Sequence, residues 1–354
     1  MEGKQSVGWC RVAVPEGRRL RKSEGETRVG KNAQGLLSVV GNINWDVSIF
    51  EDSLAGLGEE VPVRDVMEFS GGKGANVAVA AARLLGRGRV AFIGALGEDD
   101  IAARQIRELE EEGIVTEGVI MIKGVRSGRA YVLVNREGKK SIHTHLGANA
   151  LMRPSHLAMP GPSEVLSKTS MLILMDTPTD VATTAAKTAK RSGGRLVYSP
   201  GIRTREGLGA LAGILDAADV LVLDKAELRR LSGETNVMKA AKLLQKSKPA
   251  MIVVATSGKG GCLVVSRGRA VVFEGVDLAL LGMKAVNSTG SGDSFLGVLA
   301  GYLAEGSMVA EAVKWANLAG ALKAAKYETR GSPTKARLLA AMKRLEAATA
   351  PAPR

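Results

Sequence analysis

The sequence predicts a three-layer α/β/α sandwich around a mostly parallel central sheet, with a small β-sheet lid, and three observations predict it. Short, continuous, β-branched apolar runs alternate with segments of helical period; a few segments instead alternate polar and apolar residues; and three glycine-rich stretches fall where strands give way to helices or turns. Strands that are apolar throughout are buried on both faces, which is the condition of a parallel sheet covered by helices on either side. Half-polar strands inserted into that rhythm need one wet face and so belong to a separate small sheet.

The elements follow in order. Residues 1–35 are polar, glycine-containing and aperiodic, and read as a disordered extension. The run at 36–40 is a first buried strand. Residues 61–69 alternate and read as lid. The glycine turn before Ala75 opens a helix over 75–85, an Ala- and Val-rich stretch suited to close packing. A strand at 89–93 and a helix at 99–111, with apolar positions three and four apart, continue the rhythm. Residues 127–135 and 141–145 form a hairpin turning at Glu137-Gly138, so the lid insertions lie near 61–69 and 120–145. Strands at 171–175, 195–198, 220–223, 251–255 and 262–265 then interleave with helices at 180–191, 226–231, 294–304 and 310–326. One folded domain is expected over 36–348, with a fraying Ala- and Pro-rich tail at 349–354.

Composition narrows the class. An apolar share of 45 % over 354 residues builds a sizeable core, while 3 % aromatics weakens any role in stacking single-stranded bases. The formal charge of +13 invites a nucleic-acid partner, but it is spread over the N-terminal stretch, scattered helical faces and a basic C-terminal helix, so no specific nucleic-acid partner is expected. The most apolar stretch, 208–223, is broken by Asp216 and Asp219, so no membrane partner is expected. Two cysteines, Cys10 and Cys262, and an N-terminus without an apolar signal region fit a reducing, cytoplasmic location.

The glycine-rich segments carry the candidate chemistry. In Gly71-Gly72-Lys73-Gly74-Ala75-Asn76, glycines let the backbone approach a ligand at a helix start, and Lys73 and Asn76 add directional polar groups; a tight strand-to-helix turn would need the same glycines. In Asn287-Ser288-Thr289-Gly290-Ser291-Gly292-Asp293, the N–H groups of Gly290, Ser291 and Gly292 form an anion hole at the positive end of an apolar helix. Asp293, in its first turn, is either a general base for a substrate hydroxyl or an ordinary helix cap. Thr256-Ser257-Gly258-Lys259-Gly260-Gly261 follows a buried strand and is a ligand loop or a plain hairpin turn. There is neither a Walker A loop nor a dinucleotide fingerprint, which removes the nicotinamide-dependent dehydrogenases.

Together, in this order, the segments resemble the two signatures of the ribokinase (PfkB) family of sugar kinases, from about residue 36 to 334. The resemblance implies a ribokinase-like fold and transfer of the ATP γ-phosphate to a primary hydroxyl, with Asp293 as base and Gly290–Gly292 as anion hole. It implies sugar contacts from Asn44 and Asp46, from Gly72, Lys73 and Asn76, and from Asp176. On the nucleotide side, Asp224-Lys225-Ala226-Glu227 is similar to the family's N-x-x-E, in which Glu227 would order Mg²⁺ through water. Asp224 replaces the usual Asn and keeps an oxygen. Thr256, Gly258 and Gly261 match the nucleotide loop, and Asn317 the adenine-side helix. Members activated by K⁺ carry Asp-Thr where this chain has Asn287-Ser288; that change weakens a K⁺ site at Asn287 while leaving backbone carbonyls, so K⁺ dependence stays open. The lid in relatives often clasps a second subunit, which implies a homodimer.

Acceptor choice is read from smaller features. The first glycine segment and Gly147-Ala148-Asn149-Ala150 resemble true ribokinases, whereas Tyr198-Ser199-Pro200-Gly201 resembles archaeal nucleoside and sugar-phosphate kinases. Ribose, giving ribose 5-phosphate, is the expected acceptor. A nucleoside kinase, with Ile43, Trp45, Met121 and Met175 lining a base slot, and a 6-phosphofructokinase-type enzyme, using Arg126, Arg129, Arg136 or Lys139, are alternatives. A non-catalytic sugar-binding protein is the third. His143 and His145 share a strand face but have no third ligand near in sequence, so lid packing is expected of them rather than metal binding.

Overall fold

In a computed structural model of the chain, residues 5–7, 10–13, 35–137 and 140–349 are described. The elements run β1 (Gln5–Val7), β2 (Cys10–Ala13), β3 (Leu36–Gly41), β4 (Asn44–Glu51), β5 (Val63–Gly71), α1 (Lys73–Leu85), β6 (Val90–Gly97), α2 (Asp100–Glu111), β7 (Val119–Ile122), β8 (Gly128–Val134) and β9 (Lys140–His145). After them come α3 (Pro160–Ser167), β10 (Thr169–Met175), α4 (Thr179–Arg191), β11 (Arg195–Ser199), α5 (Gly207–Ala217), β12 (Val220–Asp224), α6 (Lys225–Ser232) and α7 (Val237–Ser247). The chain closes with β13 (Ile252–Thr256), β14 (Cys262–Ser266), β15 (Arg269–Phe273), α8 (Ser291–Ala304), α9 (Val309–Ala324) and α10 (Lys335–Thr349).

The large sheet has the order β1-β2-β15-β14-β13-β12-β11-β10-β3-β6-β7. From β13 through β7 every pairing is parallel, and β14, β15, β2 and β1 extend it antiparallel. Alternating residues of its central strands feed two apolar layers. Leu37, Val39 and Ile173 pack with Val77, Leu299 and Val313 of α1, α8 and α9. Val40, Leu172 and Leu174 pack on the other face with Val181, Leu228 and Leu244 of α4, α6 and α7. Each such side chain, fully buried, contributes roughly 1.5–3 kcal/mol relative to exposure, so the expected continuous apolar strands are where the stability resides. This is the three-layer sandwich that the sequence predicts.

Strand order reverses between β3 and β10, whose carboxyl ends therefore open the crevice in which open α/β sheets bind ligands. The Ala-rich face of α1 packs against α8 so closely that a Cβ on Gly297 would stand 2.5 Å from the Val77 carbonyl. That approach carries the start of α1 to the start of α8.

The lid is the second sheet, order β5-β4-β8-β9, with β4 and β8 parallel and the other pairs antiparallel. Three expectations change. Residues 44–51 form a further lid strand; Trp45, Val47 and Ile49 alternate with polar residues, but only residues 42 and 43 separate the strand from β3, so its start reads as the turn after that strand. Residues 119–122, expected within the lid insertion, instead extend the main sheet beside β6. In the stretch expected to be disordered, β1 and β2 pair onto the edge strand β15 through Val12 and Ala13; residues 1–4, 8–9 and 14–34 lie outside the described residues, as do Gly138 of the expected hairpin turn and the tail from 350 onward. Among the described residues no helix is long and apolar enough to cross a membrane.

Candidate active site

The turn between β3 and β4 and the glycine turn into α1 are tied together first. Asn42 Oδ1 accepts the Gly74 N–H at 3.0 Å, and the Asn42 carbonyl accepts that of Ala75 at 3.1 Å. Gly72 has φ 86°, and a Cβ there would lie 2.5 Å from the Asn44 nitrogen, so only glycine fits. Asn44 is fixed from both ends: Asn149 Nδ2 donates to its Oδ1 at 3.0 Å, and Gln105 Nε2 to its carbonyl at 2.6 Å. The Asp46 carboxylate lies directly on Gly71, where a Cβ would come within 2.1 Å of it. Burial pushes the Asp46 carboxyl up to about 7, the Asp293 charge adds to the rise, and Arg330 and a hydrogen bond from Thr329 oppose it.

Beyond the end of β10, Asp176 takes φ 52°, a left-handed conformation uncommon for a non-glycine residue. Its side chain is 4 % exposed; Oδ2 pairs with Lys73 Nζ at 2.7 Å and Oδ1 accepts the Ile202 N–H at 2.7 Å. Gly201 leaves room for that carboxylate, which no side chain could do. Burial lowers the Lys73 ammonium, but Asp176 outweighs it and leaves the pKa above its ordinary value.

Asp293 sits in the first turn of α8, buried, and accepts a hydrogen bond from Asn76 Nδ2 at 2.9 Å. Burial raises its carboxyl to about 6, with Asn76, Lys73 and Lys323 opposing. Gly290 caps the helix at φ 84° and packs beneath the Thr329 carbonyl, 2.2 Å from where a Cβ would be. The Ser291 N–H is spent on Ser288 O at 3.1 Å, while its buried hydroxyl has no partner. Of the expected anion hole, the first-turn N–H groups of Gly292 and Asp293 are thus better placed to serve an anion than that of Ser291. Asn76 bridges the two halves of the site, because its Oδ1 faces Arg330 Nε at 3.4 Å.

Arg330 escaped the sequence reading. It lies among scattered surface-type charges just before a basic helix, yet its side chain is 9 % exposed. It donates to Gly71 O and Gln105 Oε1, both at 3.0 Å, and lies 3.6 Å from Glu108; burial lowers its pKa to about 10. Lys323 escaped too, for a helical lysine ordinarily reads as solvated. Nothing local in sequence marks either residue; only the fold brings them inward.

The nucleotide-side candidates line the next strand ends. Asp224 and Glu227 form a reciprocal cap on α6: Asp224 Oδ1 accepts the Glu227 N–H at 2.7 Å, and Glu227 Oε2 the Asp224 N–H at 2.9 Å. Glu227 is raised by burial, and it interacts electrostatically with Lys73, so it faces the same cleft as the acceptor residues. Thr256 ends β13 opposite Asp224, and the loop behind it returns as the β13–β14 hairpin. Gly258 at φ 57° has open space around it, whereas Gly261 at φ 82° would press a Cβ to 2.0 Å from Phe273 O. Asn317, on α9, is buried and points Nδ2 at Glu274 O, 3.4 Å away.

Asn287 is committed within the chain. Its Oδ1 accepts the Thr289 N–H at 3.0 Å, its Nδ2 donates to Tyr327 O at 2.8 Å, and its carbonyl accepts from Lys323 Nζ at 2.9 Å. These residues do not fit a K⁺ ion. Among the described residues no group of three or more His, Cys, Asp or Glu is arranged to hold a metal directly; the oxygen donors of Asp224 and Glu227 suit a hard divalent ion held through water and nucleotide phosphates.

The four residues considered for a base slot, and Arg136, are placed otherwise. Ile43 and Met175 belong to the core, and Trp45 is 3 % exposed, with its indole N–H on Glu68 at 2.7 Å and Arg104 stacked 4.3 Å from its ring. Met121 is exposed. No base slot forms from these four. Arg136 pairs with Asp52 at the lid surface, and Lys139 lies outside the described residues. The exposed His143 bonds Ser141 at 3.0 Å.

Comparison with known proteins agrees with this geometry. Residues 34–336 match the model of the pfkB family carbohydrate kinases. The chain is 30 % identical over 297 residues to a protein of Halopiger xanaduensis named ATP-dependent ribose-1-phosphate kinase, covering 83 % of this chain and 93 % of that one. It is 28 % identical over 312 residues to a ribokinase of Haemophilus influenzae, covering 84 % and 95 %. Among solved structures, the ribokinase of Thermotoga maritima superposes with a TM-score of 0.76 at 27 % identity, over 88 % of this chain and 100 % of that one.

Proposed function

The chain belongs to the pfkB family of carbohydrate kinases and is an ATP-dependent sugar kinase, and within that class we propose that it phosphorylates a ribosyl acceptor at its primary hydroxyl, ribose first. The observation that carries the proposal is the Asn76–Asp293 bond, which joins the sugar-side glycine turn to the buried base at the head of α8. A carboxyl raised to about 6 stays ionised at neutral pH yet is basic enough to accept a proton.

Asn44, Asp46, Lys73 and Asp176 hold the sugar hydroxyls. Asp293 takes the proton of the primary hydroxyl as its oxygen attacks the γ-phosphorus; the bond to the β-phosphate oxygen breaks, ADP leaves, and Asp293 returns its proton to water. The first-turn N–H groups of α8 meet the charge on the moving phosphoryl group. Kinases of this family use ATP and a divalent metal; here that ion would be Mg²⁺, with Asp224 and Glu227 holding its water shell, and it would neutralise phosphate charge. Thr256, Gly258 and Gly261 would receive the nucleotide phosphates, and Asn317 the adenine side. Lys140 of the lid reaches Thr289 Oγ1 at 2.6 Å, which supports a lid that closes over the anion-hole loop and excludes water.

A second reading, ribose 1-phosphate as acceptor, is favoured by the name of the Halopiger relative; it leaves the same 5-hydroxyl at Asp293. Coupled ADP release with Mg-ATP tests both, comparing ribose, ribose 1-phosphate, 2-deoxyribose, fructose, fructose 6-phosphate, ketodeoxygluconate, adenosine, inosine and cytidine. The highest kcat/KM is expected for ribose. Preference for ribose 1-phosphate replaces the first reading with the second, preference for a nucleoside or hexose phosphate overturns both, and no turnover with any acceptor revives a sugar-binding protein.

The lid also supports a homodimer. Val63, Val66, Met67 and Ile142 expose 40–51 % of their surface on the small sheet, more apolar area than a lid needs for covering a sugar. Light scattering on the eluting peak should give twice the 37.0 kDa chain mass, and Met67→Glu should shift it toward monomer; a wild-type monomer at micromolar concentration ends the idea.

A further inference from the structure

Lys323 is 0 % exposed, in the last turn of α9. Lysine is almost never buried fully unless paired, yet this ammonium donates to backbone carbonyls rather than to a carboxylate: Asn287 O at 2.9 Å and Lys326 O at 3.3 Å. Carbonyl oxygens converging on one buried positive charge are the ligand set of a desolvated monovalent cation. The place matters as much as the ligands. Asn287 begins the loop that ends at Gly290, the cap of α8, and a Cβ on Gly290 would touch Lys323 Cε at 3.4 Å. Ala324, next in the chain, binds the same loop by accepting the N–H groups of Val286 and Asn287 at 2.7 and 3.0 Å.

We infer that the Lys323 ammonium is a built-in monovalent cation, which holds the loop from Asn287 to Gly290 from behind and makes this kinase independent of added K⁺. The Asn287 side chain corroborates the assignment. Its amide donates to Tyr327 O, which a carboxylate could not do, so the position is built for a neutral group beside a charge the chain already supplies. The ammonium is felt at the reacting end as well, since Lys323 and Asp293 interact electrostatically. Glu328 attracts it, and Lys140 and Lys326 repel it. Lys323 is a positioning residue: it acts through the anion-hole loop and the field at Asp293, without touching substrate.

The inference rests on the phosphotransfer reading, and two readouts separate their failures. Turnover and unfolding midpoint are measured in KCl and in choline chloride at equal ionic strength, for wild type, Lys323→Ala and Lys323→Met. Wild type should differ by less than about twofold in turnover between the salts and show no K⁺-specific rise in midpoint. Lys323→Ala, which vacates the space and the carbonyls, should lose at least about tenfold in choline chloride, where each factor of ten reports 1.36 kcal/mol of barrier. KCl should restore much of that loss and raise the variant's midpoint. Lys323→Met, which fills the space without charge, should be slow in both salts. Wild-type activation by KCl of fivefold or more overturns the inference, even if neither variant folds. So does an alanine variant with wild-type turnover, or one that KCl does not rescue, or equal rescue of the methionine variant. If wild type phosphorylates nothing, the kinase reading fails, and a K⁺-specific midpoint rise in Lys323→Ala alone still decides the cation assignment.

Discussion

Asp293→Asn is expected to lower kcat by about 10²–10⁴-fold, the contribution of a positioned general base, while leaving the sugar KM within a few fold. The amide keeps an oxygen for Asn76 Nδ2 and so preserves the bridge between the two halves of the site. The same change should not weaken the fold. A carboxyl raised from 3.8 to about 6 favours folding fully below 3.8, and loses that contribution as pH rises through about 6. At pH 8 the ionised, buried group is a burden that Asn removes, so the unfolding midpoint should equal or exceed that of wild type. In wild type, kcat/KM should fall as pH drops through the region of 6 to 7, where Asp293 and Asp46 take up protons; because the Asp293 charge raises Asp46, the limb reports both groups rather than one. Asp293→Asn with wild-type kcat would remove Asp293 as the base.

Arg330→Met is expected to damage stability and activity together. It leaves the Gly71 carbonyl and Gln105 Oε1 without their donor, and leaves the buried Asp46 carboxylate without the guanidinium that opposes its rise. Removing one member of a buried charged group costs about 3–5 kcal/mol, to be read from urea unfolding at pH 7. Asp46 should then titrate higher, moving the acid limb of kcat/KM upward. Arg330→Lys should restore charge but not the fork that reaches Gly71, Gln105 and Asn76 at once, so only part of the loss should return. If Arg330→Met unfolds within 1 kcal/mol of wild type (about the scale of a surface change), Arg330 does not hold the site together.

Much of this protein was legible without coordinates. The strands at 36–40, 171–175, 195–198, 220–223 and 251–255 all lie in the parallel part of the large sheet, within a residue or two at their ends. They could be read because a strand buried on both faces must be apolar throughout. The two glycine signatures were legible because backbone geometry allows no other residue at Gly72 or Gly290. Strand β4 was less so, because only two residues separate it from β3 and its start therefore reads as the turn that follows that strand.

What sequence alone determined, then, is the layered sheet and the positions of its glycine turns, which rest on local patterns of period, polarity and φ, whereas Asp293 stood out through the resemblance of its glycine signature. Only the tertiary structure decided which charges are internal. Arg330 lies 254 residues from the Asn76 it supports, and Lys323 36 residues from the Asn287 carbonyl it binds. A lysine or arginine has the same local signature on a solvated face as in a core. Its burial depends on which carbonyls and carboxylates distant parts of the chain bring to it, and those partners exist only once α1, α8 and α9 have packed.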